Sequence, residues 1–412
     1  MTGDERGSGD RPALERLLPV SAQAFATEYW AKQPLFARSA SLPAGFADLF
    51  SADAVDELVT RRGLRTPFVR MAKEGSVLPP GRFTAPGGFG AEIADQVSAD
   101  KVLDEFAAGA TLVLQGLHRT WAPVAEFTRA LVADLGHPAQ VNAYITPASA
   151  RGFDPHYDVH DVFVIQITGE KRWRIHAPVH QSPLRTQPWD GHRAEVEREA
   201  QNPPVIEETF RPGDVLYLPR GWIHSATALG GTSIHLTIGV AALTRQDVLR
   251  EALARAENDE SLRAALPLGV DLTDPAVVSA LVAAAVDDLA GYLRSDTDAA
   301  VEAGRRLARQ VRRSTRPEPV APLATVEAAA ALHEATTVSL RHGLGGRVQA
   351  DGEKVALVLS DKTVRLPAEA TAAVTAVLAG DTVLAGDLPG LDPASSLVVA
   401  RRLVREGVLV VR

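Results

Sequence analysis

The stretch QVNAYITPASARGFDPHYDVHDVFVIQITGEKRW (140–173), taken with RPGDVLYLPRGWIHSA (211–226), decides how this chain folds. It carries His156, Asp158 and, after a long connection, His224. His156 and Asp158 stand at i and i+2, so on an extended strand they point to one face. His224 belongs to a later segment, which requires a fold that returns a different strand to the same place. A small β-barrel does this. Two imidazoles and one carboxylate on one face of a metal, with the opposite positions open, form the ligand set of a mononuclear non-haem iron(II) centre. An H-x-D pair is weak evidence alone, so the context matters. Gly213 and Asp214 make a turn, and Pro219-Arg220-Gly221 re-aims the chain so that His224 can face inward.

Outward from these residues the hydrophobic period is two. In 141–146, Asn142, Tyr144 and Thr146 share a face. In 156–167, His156, Asp158, His160, Val162 and Val164 share a face. TGEK at 168–171 reads as a turn, after which Lys171, Trp173 and Ile175 face one way and Arg172, Arg174 and His176 the other. A strand at 214–219 and a last one at 233–240 follow, the latter with Ser233, His235 and Thr237 on one face. Many short strands without alternating helices predict an α+β chain built on a double-stranded β-helix of the jelly-roll or cupin kind.

Lys171 has its own chemistry. A lysine pointing into a barrel costs several kcal/mol unless paired. No carboxylate nearby in sequence is an obvious partner, and a bound dicarboxylate would supply one. 2-Oxoglutarate has the right shape: its keto-acid end chelates iron, and its far carboxylate meets an ammonium. The competing reading is a surface lysine displaced in phase by the turn. Asn142, Tyr144 and Ser233 are polar positions on faces that could line the same cavity.

The flanks are mostly helical. Residues 1–12 read as a disordered tail, rich in Gly and charge. Helices are predicted at 12–18, 21–30 (capped by Ser21), 52–61, 100–108 (capped by Ser98) and 121–135, ending at Gly136. Strands are predicted at 67–70 and 110–115. After 243 the strands stop, and 247–256, 275–294 and 297–313 read as amphipathic helices. Their apolar faces suggest packing against a second copy. Residues 316–322, with three prolines, form a linker. Beyond it, a hairpin around Asp361-Lys362, helices at 368–378 and 395–405 and a strand at 407–412 fit a winged-helix-like unit. Its charges nearly balance, with only Arg401, Arg402 and Arg405 clustered, which favours a protein-contact module over a DNA reader.

Composition narrows the function. The chain has 412 residues, net charge −8 and no cysteine. Disulfides, cysteine-held iron–sulfur clusters and cysteine-ligated zinc are excluded, so a metal must use His and carboxylate. The acidic balance argues against broad nucleic-acid binding. The N-terminus MTGDERGSGDRP carries no signal-peptide core. The Ala/Val-rich run at 277–286 is broken by Asp287 and Asp288, short of a membrane span. The expectation is a cytoplasmic protein without a membrane partner.

The runs NAYITPASARGFDPHYDVHDVFVIQITGEKRWRIH (142–176) and GDVLYLPRGWIHSA (213–226) resemble the JmjC oxygenases of the ribosomal oxygenase family. That resemblance implies an iron(II)- and 2-oxoglutarate-dependent protein hydroxylase. It implies iron ligands His156, Asp158 and His224, and Lys171 on the far carboxylate of 2-oxoglutarate. Asn142, Tyr144 and Ser233 match polar positions around that co-substrate. The implied parts are a JmjC cupin domain over 13–243, a helical dimerisation domain over 244–315 and a winged-helix-like domain over 323–412. The implied substrate is an arginine or histidine of a ribosomal protein, and the implied assembly a homodimer, with no DNA bound. His160, at a variable position of the family, is not counted as a ligand, although its strand phase points inward. His235 is read as a satisfied core residue in preference to a supporting one. Arg220 is open between a substrate contact and a surface role.

Other readings stay open. A non-oxygenase metal-binding cupin would not need Lys171 inside. A ligand-sensing transcription regulator would need a basic recognition helix, which 395–405 supplies only at one end. The same oxygenase chemistry on a peptide natural product, small molecule or RNA is also compatible with the sequence.

Overall fold

The computed structural model describes residues 11–90, 92–148, 154–296 and 298–412. Most of the tail expected at 1–12 therefore lies outside the described residues; Pro12 already opens a helix, Pro12–Glu15. The chain divides into two compact units, Met1–Ala242 and Leu243–Arg412.

The strands of the first unit are β1 (Leu35–Ala37), β2 (Val69–Lys73), β3 (Ser76–Val77), β4 (Thr84–Ala85), β5 (Gln96–Val97), β6 (Thr111–Leu114), β7 (Ala139–Thr146), β8 (Asp161–His176), β9 (Ile206–Phe210), β10 (Val215–Leu218) and β11 (Ile223–Val240). All but β4 and β5, which pair with each other, belong to one sheet. Its order is β1-β10-β8-β11-β7-β6-β2-β3, with β9 also on β8.

β8 and β11 carry the architecture. They run antiparallel twice: Ile223 to Leu229 lies along His176 to Glu170, and Ile234 to Val240 along Thr168 to Asp161, with register shifts between. At the shift Gly169 has a φ of 67°. A Cβ there would sit 2.2 Å from the Thr232 carbonyl oxygen. Only glycine lets the strands meet at this bulge. The bulge also changes which side chains face inward. Val162 and Val164 precede it, Lys171 and Trp173 follow it, and all four line one cavity.

Three sequence expectations are corrected by this geometry. The predicted turn at 168–171 is a bulge inside one continuous strand, and 233–240 is the second half of another. Conversely, the strand predicted from 156 begins only at Asp161. His156 is held instead by an isolated bridge to His224.

Helices cover one side of the sheet. Ala122–Leu135 buries Val124, Phe127, Leu131 and Val132, and stops at Gly136 in the left-handed region, whose N–H returns to the Val132 carbonyl. Ala52–Arg61 starts at Ser51, whose hydroxyl accepts from Ala54 N–H. Ser21 caps as predicted, but the helix winds into a π-turn at Phe25–Tyr29. That turn packs Phe25 edge-on against Tyr217 in the core. Ser98, the predicted cap of Ala99–Ala107, makes no side-chain cap bond.

In the second unit, helices Arg245–Ala256, Pro275–Ser295 and Ala299–Ser314 occupy the predicted helical stretch. The first opens with a reciprocal capping box between Thr244 and Asp247. Pro275–Ser295 corrects the expectation of no span-length run: by length and composition it could cross a membrane, and none of it is buried. Helix Pro322–Ala331 leads into β12 (Thr337–Leu340), β13 (Gly346–Asp351), β14 (Lys354–Leu359), β15 (Thr363–Pro367), β16 (Val383–Leu384) and β17 (Leu409–Val411). β14 and β15 form the predicted hairpin, and β13 adds a third strand that the sequence reading did not foresee. Helices Thr371–Ala379 and Pro393–Arg405 complete a wholly apolar cluster around Leu357, Val374 and Leu403.

Candidate metal centre and its cavity

His156 and His224 face each other across two backbone hydrogen bonds, His224 N–H to the His156 carbonyl at 2.9 Å and His156 N–H to the His224 carbonyl at 3.3 Å. Their rings lie 4.5 Å apart. Asp158 follows on the same short segment, fixed where its carbonyl accepts Gly221 N–H at 3.0 Å. Gly221 has a φ of 89°, and a Cβ there would come 2.5 Å from the His180 carbonyl oxygen. This turn is what aims His224 inward.

One donor atom from each of His156, Asp158 and His224 lies within 4.8 Å of the others. His224 Nε2 is 3.8 Å from Asp158 Oδ2. The tautomers are set from behind. His156 Nδ1 is 2.7 Å from the Asp154 carbonyl oxygen, and His224 Nδ1 is 3.1 Å from that of Trp222. A ring nitrogen donating to a carbonyl carries the proton, which leaves Nε2 with its lone pair on the shared side. Burial, reinforced by His156, pulls His224 down to about 4, so it is neutral and ready to ligate. Burial pushes Asp158 up, but His160, His224 and His156 outweigh it and hold the carboxyl below its ordinary range.

The cluster opens into a cavity of about 280 Å³. Its other end is polar. Lys171 is 3% exposed. Its Nζ donates to Thr146 Oγ1 at 3.2 Å and lies 5.9 Å from the Trp173 ring centre. Among the described residues it has no ion pair, and burial alone pulls its pKa down to about 7. Tyr144 lines the cavity with its hydroxyl hydrogen-bonded to Asn142 and Arg70. His235 stacks on Tyr144 at 5.0 Å and meets the Trp173 edge at 5.4 Å. Burial, then Lys171, holds it well below the usual imidazole range, hence neutral.

The predicted site residues thus separate. His156, Asp158, His224, Lys171 and Tyr144 share the cavity wall. Asn142 and Ser233 do not line it. Asn142 Oδ1 accepts Gly116 N–H at 3.0 Å, and its side chain supports Tyr144 from behind. Ser233 falls in the β11 irregularity, where strand parity slips, and its hydroxyl accepts from Gln166 Nε2 at 2.9 Å. His160 stays outside the cluster with its ring over Gly239. Arg220 is neither a surface group nor a cavity group: it is paired at 3.6 Å with the fully buried Asp161. His235, read as core, lines the cavity together with Arg70, Glu74, Thr111 and Thr237. The alternation Arg70-Ala72 on β2, continued by Glu74 in the turn after it, was the available signal, obscured because the strand was placed at 67–70.

Residues 119–248 match the JmjC domain family. The chain carries a JmjC domain. Among curated proteins, the bifunctional lysine-specific demethylase and histidyl-hydroxylase NO66 of Drosophila persimilis is 28% identical over 275 residues, 64% of this chain and 37% of that protein. NO66 of Aedes aegypti is 26% identical over 271 residues, 61% of this chain and 39% of that protein. The chain therefore spans well under half the length of these relatives. Among solved structures, Escherichia coli ycfD superposes with a TM-score of 0.54 at 18% identity, covering 97% of this chain and all of that one. A second structure of the same Escherichia coli protein, described as a ribosomal oxygenase in complex with cobalt and 2-oxoglutarate, superposes with a TM-score of 0.51 at 18% identity, covering 95% of this chain and 98% of that one. At this identity the likeness shows the fold, a JmjC cupin-like fold of mixed helices and strands, around the cavity described above.

Proposed function

We propose that the chain is an iron(II)- and 2-oxoglutarate-dependent oxygenase that hydroxylates a protein side chain. The observation that carries this is the pairing of ends in one cavity: a His-Asp-His face at one end and a buried lysine without a carboxylate partner at the other. The donor set fits iron(II), since two imidazoles, each with Nδ1 turned to a backbone carbonyl, and one carboxylate offer three ligand atoms on one side. His156, Asp158 and His224 would hold the metal. Lys171, with Thr146 beside it, would hold the far carboxylate of 2-oxoglutarate in a charge-assisted contact. Iron and 2-oxoglutarate, when bound, would with dioxygen as the oxidant supply oxidative decarboxylation to succinate and carbon dioxide, one oxygen atom going to succinate and the other to the hydroxylated C–H bond. The protein's own part is orientation and exclusion of water. Val162, Val164, Trp173 and Leu218 make the wall between the two ends apolar. Tyr144, fixed by Asn142 and Arg70, stiffens the polar end.

The histidyl-hydroxylase and ribosomal oxygenase roles of the similar proteins, and the resemblance, favour an arginine or histidine of a ribosomal protein as substrate, met in the cytoplasm. The second unit supplies the dimerisation helices over 244–315 and the winged-helix-like module over 323–412. A second copy of this chain covers Pro275–Ser295, where Val282 and Val286 are more than half exposed. Insertion into a bilayer is disfavoured because Asp287 and Asp288 lie inside the helix. A monomeric mass by light scattering would remove the dimer.

The decisive experiment is turnover of 2-oxoglutarate to succinate by the purified protein with iron(II) and ascorbate, with and without ribosomal proteins, followed by intact-mass analysis. Succinate coupled to a gain of about sixteen daltons, one oxygen, on one protein is the expected result. Neither turnover nor iron-dependent 2-oxoglutarate binding would return the chain to the non-oxygenase cupins.

A further inference from the structure

The geometry points to Glu74 as the residue that selects a substrate side chain of permanent positive charge, arginine or lysine, over a neutral one. This rests on the oxygenase reading of the cavity and names the class of side chain its mouth would take. Glu74 lies on the cavity wall, directly after β2, which contributes Arg70 and Ala72 to the same wall. β2 and β3 are joined by two residues, Glu74 and Gly75, with Lys73 opposite Ser76. Both linking residues have positive φ, 50° and 77°. Such a turn favours Asn-Gly or Asp-Gly, because a longer side chain is strained in the left-handed region. A glutamate therefore occupies a position where the backbone prefers a shorter residue. Strain of this kind persists where the side chain has a use.

The surroundings say what the use is. Gly75 packs against Asp154: a Cβ on it would lie 3.4 Å from Asp154 Oδ2. The Asp154 carbonyl in turn orients His156. The turn is thus set beside the metal-holding segment. Glu74 is exposed and makes no hydrogen bond or ion pair among the described residues. The charges within the cavity wall are ordered: Lys171 and Arg70 are cations, and Glu74 is the carboxylate other than the metal-binding Asp158. A dicarboxylate is drawn to the lysine end, and Glu74 is left to meet a cation entering with the substrate. A guanidinium matches a carboxylate with two parallel hydrogen bonds, and an ammonium with one; a neutral imidazole or amide gains no charge term.

Three forms of the full chain decide it: wild type, Glu74→Gln and Glu74→Asn. The probe is a set of labelled peptides identical but for one central arginine, lysine, histidine or citrulline, read by fluorescence anisotropy on metal-free protein. Wild type is expected to bind the arginine and lysine peptides roughly fivefold more tightly than the citrulline peptide, the scale of an exposed ion pair. Both variants are expected to lose that preference. Glu74→Asn is also expected to melt at a higher temperature, because it relieves the turn, so weaker binding cannot be blamed on misfolding. Equal affinity for arginine and citrulline peptides in wild type, or an unchanged preference in Glu74→Gln, overturns the assignment. Binding of 2-oxoglutarate to iron-loaded wild type, measured alongside, tests the oxygenase reading separately, since the peptide readout needs neither iron nor turnover.

Discussion

Asp214 and Lys171 are both buried in the same barrel, 2% and 3% exposed, and they are treated in opposite ways. Asp214 receives backbone N–H groups from Ser39 at 2.9 Å and Arg211 at 3.0 Å, and the Arg38 guanidinium at 2.9 Å. Lys171 donates to one hydroxyl oxygen, that of Thr146. A buried charge costs several kcal/mol unless it is paired and hydrogen-bonded. The chain meets that cost for Asp214 with its own donors, which tie β1 to the turn before β10. It leaves Lys171 short of a partner, facing a cavity. The first kind of buried charge builds the barrel; the second marks where a ligand completes it. The second unit, by contrast, buries only Ser339 and Ser396 among its described polar residues.

The largest effect is expected at the metal end. Asp158→Ala removes the only carboxylate from the three-residue cluster. Succinate formation should fall to background, with iron affinity down by on the order of a hundredfold or more, while the apo protein melts at or above the wild-type temperature. Succinate production retained at a substantial rate would break the assignment of this end.

Next come the two buried charges themselves. Asp214→Ala strands two backbone donors and should cost about 2–4 kcal/mol in urea unfolding. Lys171→Met should do the reverse to stability and the opposite to function. The apo protein should gain about 1–3 kcal/mol, while 2-oxoglutarate affinity drops roughly 10- to 100-fold, the worth of a charge-assisted hydrogen bond. The sign with pH follows from burial. In the folded apo protein Lys171 loses its proton near 7, whereas the unfolded chain keeps it to about 10.5. Between those values the unfolded chain binds more protons, so wild-type stability rises with pH. The advantage of Lys171→Met should be greatest below pH 7 and shrink toward pH 10. Thr146 and Trp173 contact the ammonium and His235 feels its charge, so the Met variant is the reference for the pH profile. A Lys171→Met protein less stable than wild type at pH 6 would show that the lysine has a partner after all.

Much of this was readable in the sequence because its signals are local. His156 and Asp158 are two residues apart, and the Gly221 turn that aims His224 is written in PRGW. Lys171 was legible for a thermodynamic reason, since an inward lysine without a partner implies a ligand. What was not legible depends on where strand parity slips. The bulge at Gly169, whose residues read as a turn, and the irregularity after Leu229 change which side chains face inward inside what are continuous strands. Ser233 was assigned to the cavity for that reason, while Thr146, already placed on the right face beside Tyr144, was passed over. Arg220 failed differently: its partner Asp161 is 59 residues away, and no local pattern announces such a pair. In the second unit the helix was placed correctly, but Asp287 and Asp288 were read as ending its apolar run short of a span, although the helix is long and apolar enough by length and composition.

The smallest effect should come from a charge pair of the same barrel that is not buried. Arg174 and Glu207 lie directly opposite on β8 and β9, with Nε and Oε1 2.9 Å apart. The distance equals that of Arg38 to Asp214, so pairing geometry alone would rank the two alike. Burial separates them: both Arg174 and Glu207 are roughly half exposed, and water competes for each charge. A double-mutant cycle with Arg174→Ala and Glu207→Ala should give a coupling of about 0.2–1 kcal/mol, falling further in high salt. A coupling several times larger would mean that the barrel surface holds its charges as firmly as its interior. The contrast between Asp214 and Lys171 would then reflect hydrogen-bond geometry rather than desolvation.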